Sequence, residues 1–91
     1  MVMTTAVFAQ DITVSGTVTD ASTGETVAGA AVQLKGSLTQ YAMTDDLGAY
    51  SLSVPSNGVL VVSFLGYKTV EIPVNGRTTI DVALELEAEI L

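Results

Sequence analysis

Histidine, cysteine and tryptophan are absent from this 91-residue chain, and only Lys35, Lys68 and Arg77 carry positive charge. Without histidine there is no serine or cysteine triad and no imidazole ligand for zinc. Without cysteine no disulfide staples the fold, and no thiolate can act as nucleophile or metal ligand. Ten carboxylates against three cations leave a net charge of −7. Nucleic acids and anionic lipid surfaces both call for clustered lysine and arginine, so neither is an expected partner. The acidity serves solubility, or it offers an acidic patch to a basic partner, most strongly near the C-terminus. The lack of tryptophan and the few aromatics argue against sugar stacking. No stretch reaches the roughly 18 apolar residues needed to cross a bilayer as a helix. The composition therefore predicts no cofactor and no direct membrane insertion.

What the chain does have is a two-residue rhythm of apolar side chains, interrupted at short intervals by glycine, proline, asparagine or aspartate. Such alternation puts one set of side chains on each face of a strand. Several short runs at roughly 8–12-residue spacing predict an all-β sandwich of about seven strands, mixed or antiparallel, with no helix required. The size fits one small domain.

The first strand spans residues 12–20, with Ile12, Val14 and Val18 inward and Thr13, Ser15, Thr17 and Thr19 outward. Gly16 in its middle signals a bulge or the close approach of a neighbouring backbone. A second strand, 30–35, turns Val32 and Leu34 inward, and a third covers 40–44. Asp45-Asp46-Leu47-Gly48 is a tight connection to Tyr50, Leu52 and Val54, and Pro55-Ser56-Asn57-Gly58 reads as a hairpin turn. Residues 59–64 are apolar on both faces, which predicts a strand covered on both sides. In 67–74, Val70, Ile72 and Val74 face inward, and Pro73 places that strand at an edge, an edge less suited than the opposite one to pairing with a partner strand. Asn75-Gly76 is the strongest short hairpin signal. The last strand, 78–86, turns Ile80, Val82, Leu84 and Leu86 inward.

Few residues suggest chemistry. Asp45-Asp46 is the only adjacent carboxylate pair, and it sits in a predicted turn, where acid–base catalysis of the glycosidase kind lacks an aromatic platform. Asp20, Asp45 and Asp46 are candidate calcium ligands, since calcium takes oxygen donors from loops. Their spacing matches no EF-hand loop, and hydrogen bonding to turn amides is the plainer account of them. Tyr67 either presents an exposed aromatic to a partner or, like Tyr50, keeps its ring half-buried with the hydroxyl at the rim. Glu85, Glu87 and Glu89 alternate with apolar residues in the tail and are candidate partner-binding positions. Residues 1–10, MVMTTAVFAQ, are apolar and uncharged. They resemble the end of a secretory signal peptide, cleaved after Ala9 or Gln10, or form a disordered N-terminus.

Taken in order, G-T-V-T-D (16–20), T-G-E (23–25), G-A-A-V-Q-L-K-G (29–36), T-D-D-L-G-A-Y-S-L-S-V-P (44–55), F-L-G-Y-K-T (64–69) and I-D-V-A-L (80–84) form a pattern. It resembles the carboxypeptidase-regulatory-like domain, a seven-stranded transthyretin-like sandwich of Greek-key type. It is most similar to the N-terminal extension of SusC-type TonB-dependent outer-membrane transporters. The resemblance implies a sandwich at 11–86, and a linker at 87–91 leading toward a TonB box beyond this sequence. It implies a non-catalytic domain on the periplasmic face of the outer membrane, acting through protein–protein contacts. Its partners would be its own plug and barrel and a TonB-complex or other periplasmic protein, in an importer of glycans or peptides. A spacer or adhesion module of a secreted or surface protein, and a non-catalytic domain attached to a hydrolase, are the alternative readings.

Overall fold

The computed structural model describes residues 11–87, which form seven strands in two sheets and, among the described residues, no helix. The strands are β1 (Asp11–Asp20), β2 (Ala31–Leu34), β3 (Tyr41–Met43), β4 (Ala49–Pro55), β5 (Val59–Ser63), β6 (Val70–Pro73) and β7 (Val82–Leu84). One sheet has the order β4-β1-β7 and the other β3-β2-β5-β6. All pairs are antiparallel except β1 with β7, so the expected mixed β-sandwich is what the chain forms. The readings of 1–10 as a signal-peptide remnant and of 88–91 as linker fall outside the described residues.

The apolar side of each strand faces the gap between the sheets. Val14 and Val18 of β1, Val32 of β2, Val54 of β4, and Leu60 and Val62 of β5 are fully buried there. Each such side chain adds about 1.5–3 kcal/mol of hydrophobic stabilisation, which lets so small a domain stand without disulfides. The outer face of the three-stranded sheet is built mainly from hydroxyls, because Thr13 lies opposite Ser53 and Ser15 opposite Ser51.

Gly16 has the close neighbour the sequence suggests. A Cβ there would stand 1.9 Å from the Ile80 carbonyl oxygen. The backbone running beside β1 at Ile80 fits only against a residue without a side chain.

Four expectations need correcting. Asn75 and Gly76 do take the left-handed backbone of a tight turn, at φ 50 and 72, and Arg77 N–H closes that turn on the Val74 carbonyl. The turn does not make a hairpin, since β6 and β7 belong to different sheets. Pro55 to Gly58 likewise turns, with Gly58 N–H on the Pro55 carbonyl, and likewise crosses between sheets. Leu86 faces solvent, not the core, at 56% exposure. After Leu84 the chain leaves β1 and pairs through Leu86 with Tyr67, so the inward alternation ends there. Finally, β5 lies inside its sheet but is covered on one face only: Leu60 and Val62 are buried, while Val59 and Val61 are half-exposed on the other.

Candidate functional site

The candidate residues fall into two places. Asp20 ends β1, and Tyr67 follows the turn after β5. A short ladder brings Tyr67 to the tail, with Lys68 N–H donating to the Glu85 carbonyl and Glu87 N–H to the Gly66 carbonyl. Tyr67, Glu85 and Glu87 therefore share one ribbon at the C-terminal end of the described residues; Glu89 lies outside them. The Tyr67 hydroxyl donates to Asp20 Oδ2 at 2.5 Å, and its ring meets Phe64 at a centroid distance of 5.8 Å. Tyr67 is thus half-buried with its hydroxyl engaged. Tyr50 differs: it is 4% exposed, and its hydroxyl donates to the buried Ile80 carbonyl, so it has no polar rim.

The electrostatics of this corner follow from those bonds. The Tyr67 hydroxyl, aided by the Ser22 and Thr23 amides on Oδ1, holds the Asp20 carboxyl below its ordinary value. The same bond to Asp20, with burial behind it, pushes the Tyr67 phenol up. Each group favours the charge state the other needs. Lys68 stands 3.7 Å from Glu85, an exposed pair of small energetic weight. Leu65, 93% exposed, and Leu86 add apolar surface beside Glu85 and Glu87.

The calcium candidates are not brought together. Asp20 spends both oxygens on Tyr67 and on turn amides. Asp45 Oδ1 accepts from Leu47 and Ala49, fixing the β3–β4 turn, and Asp46 is exposed. Among the described residues no group of three or more acidic, histidine or cysteine side chains could hold a metal ion. A cleft of about 280 Å³ lies over Thr17, Thr19, Asp81, Val82 and Ala83. Its one carboxylate, Asp81, accepts the Thr17 N–H at 3.0 Å, so the cleft holds no carboxylate pair for acid–base work.

The second place is a surface that the sequence signals only weakly. Tyr41 and Met43 of β3 each stand 59% exposed, while the smaller Ala42 packs toward the core. Thr44 sets that parity. It is buried, its hydroxyl donates to the Val27 carbonyl at 2.6 Å, and it accepts the Ala30 N–H at 2.8 Å. Because facing alternates along a strand, an inward Thr44 takes Ala42 inward and turns Tyr41 and Met43 out. A threonine two residues from an alanine in a strand flanked by large apolar side chains is the one available hint.

Comparison with known proteins bears on what this sandwich is part of. The family described as CarboxypepD_reg-like domain matches residues 14–91. The TonB-dependent receptor SusC of Bacteroides thetaiotaomicron is 45% identical over 84 residues, covering 92% of this chain and 8% of that protein. In Formosa agariphila, TonB-dependent receptor P26 is 43% identical over 74 residues, covering 81% of this chain and 7% of the receptor. TonB-dependent receptor P3 of the same organism is 40% identical over 81 residues, covering 87% and 8%. The chain thus spans less than a tenth of the length of these relatives.

Proposed function

The chain belongs to the CarboxypepD_reg-like domain family, and from that membership we propose that it is a non-catalytic domain of a TonB-dependent outer-membrane receptor. It would sit on the periplasmic face and act through protein–protein contacts. One observation carries this reading: three curated receptors contain a segment at least 40% identical to most of this chain. The structure is compatible with it, since Asp20, Asp45 and Tyr67 serve to hold turns and the tail ribbon. In this role the receptor's barrel would import a glycan or peptide, and the sandwich would contact its own plug and a TonB-complex or other periplasmic protein. In such a receptor the ribbon bearing Tyr67, Glu85 and Glu87 would lie on the side from which the plug follows.

The source gene read past codon 91 tests the proposal. A frame continuing into plug and barrel is expected. Tandem sandwich copies with a surface anchor, or a hydrolase domain with histidine metal ligands, would overturn it. Within such a receptor, deletion of residues 11–86 should leave the barrel assembled in the outer membrane and lower uptake.

A further inference from the structure

The two edges of the four-stranded sheet are unlike each other. β6 carries Pro73, which has no amide to give, and the charged Glu71. β3, Tyr41-Ala42-Met43, has neither a proline nor a charge, and among the described residues it pairs only with β2. Leu34 N–H bonds the Gln40 carbonyl and Thr44 N–H bonds the Ala30 carbonyl, with Val32 opposite Ala42. In an antiparallel ladder alternate residues turn their backbone to the partner. Gln40, Ala42 and Thr44 therefore face β2, and the N–H and C=O groups of Tyr41 and Met43 point away from β2, on the side where β4 approaches. Between β3 and the neighbouring edge strand β4, the Gln40 side-chain amide reaches the Ser53 carbonyl. That bond leaves the Tyr41 and Met43 backbone groups untouched.

Side chains and charge define what would fit. Tyr41 and Met43 form an apolar face beside Gln33 and Ala31, with Leu38 89% exposed before the strand and Leu47 74% exposed after it. Asp45 and Asp46 stand at the C-terminal end of the edge, and no hydrogen bond or ion pair engages the Asp46 side chain among the described residues. The cations do not offset this. Lys35 is paired with Glu71 at 3.0 Å and Lys68 with Glu85, while Arg77 bonds the Val74 and Pro73 carbonyls of its own turn. A second copy would bring another charge of −7 to the same edge, whereas a cationic chain is attracted to it.

We propose that the β3 edge binds an extended segment of another protein as an added strand. That segment carries alternate apolar side chains over Tyr41 and Met43 and a lysine or arginine against Asp46. Backbone bonds to Tyr41 and Met43 would supply attachment, and the apolar and charged contacts the choice of partner. The inference rests on the proposed contact role but not on the identity of the receptor, so gene sequence and peptide binding can fail separately.

The probe is a capped heptapeptide alternating valine and threonine with lysine at both ends, titrated into the 91-residue chain and followed by amide NMR. The expected result is saturable binding, with the largest shifts and slowed hydrogen exchange at the Tyr41 and Met43 amides. Replacing both lysines with glutamate should weaken binding by about tenfold or more at low salt. Met43→Pro removes an outward N–H while sparing the bonds to β2, and it should abolish binding. Should that variant fail to fold, Met43→Lys serves, with loss of binding expected from its like charge. N-methylation of the peptide amides that face β3 should abolish binding, and of the alternate amides should not. No binding, equal binding of the glutamate peptide, shifts centred elsewhere, or concentration-dependent pairing of the chain through β3 would each overturn the proposal.

Discussion

Replacing Tyr50 by phenylalanine tests the packing at the centre of the sandwich. The Tyr50 hydroxyl donates to the Ile80 carbonyl at 2.7 Å, with the residue 4% exposed. In a regular parallel ladder that carbonyl would take the Thr17 N–H, which here goes to Asp81 Oδ1 instead. The phenol is therefore its replacement donor, and removing the oxygen strands a desolvated carbonyl at a cost of about 1–3 kcal/mol. A loss of about 2 kcal/mol lowers the melting temperature of a domain this small by about 8–16 °C. Urea unfolding of the 91-residue chain at neutral pH should show a lower midpoint with an unchanged slope. Alkaline pH supplies a second readout. Burial, with the nearby Asp81 charge and against a partial offset from Arg77, pushes the Tyr50 phenol from 10.0 up to about 12. Its folded value lies above its unfolded one, so its contribution is complete below pH 10 and is lost as pH climbs toward 12. The phenylalanine variant has no such group, and the stability gap between the two proteins should close across that window. Making the comparison in a Tyr67→Phe background removes the other raised tyrosine. Equal midpoints at neutral pH, or a gap that stays constant through the alkaline window, would refute the reasoning.

Gly16→Ala places a Cβ against the Ile80 backbone, where no flexible side-chain end can yield, and thermal unfolding should show a loss of about 1–3 kcal/mol. Thr44→Val keeps the shape but strips the Val27 carbonyl and the Ala30 amide of their partner, for about 2–4 kcal/mol by urea unfolding. Asp20, held below its ordinary 3.8 chiefly by Tyr67, stabilises the fold above that pH, and the contribution is lost as pH falls below it. Tyr67→Phe should therefore move the acid-unfolding midpoint, followed by circular dichroism, to higher pH. Since Asp20, Asp45 and Asp46 do not converge, melting curves with millimolar calcium and with excess chelator should coincide; a rise with calcium would restore the metal reading.

The sequence was most legible where one residue settles one conformation. The alternation of Val14 and Val18, of Leu52 and Val54, and of Leu60 and Val62 reports which face is buried, and all six are buried. Asn75-Gly76 dictates a left-handed pair, and the pair is there. What such a turn cannot report is where the following strand lands. Residues 77–81 run alongside β1 because Ile80 N–H finds the Ser15 carbonyl and Gly16 leaves room for the Ile80 carbonyl, both partners sixty or more positions away. The candidate sites divide the same way. Asp45 in its turn is a local matter of a carboxylate two residues before an amide, whereas the meeting of Asp20 with Tyr67 depends on how β1 and the turn after β5 are packed. The Tyr41–Met43 face is a stronger case, since hydrophobicity alone would bury both in preference to Ala42. Burying them would turn Thr44 outward and leave the Ala30 amide without its hydroxyl partner inside the sandwich. Their exposure thus comes from a polar anchor overriding a hydrophobic preference. The same register turns the Tyr41 and Met43 backbone away from β2, beside the acidic turn at Asp45 and Asp46.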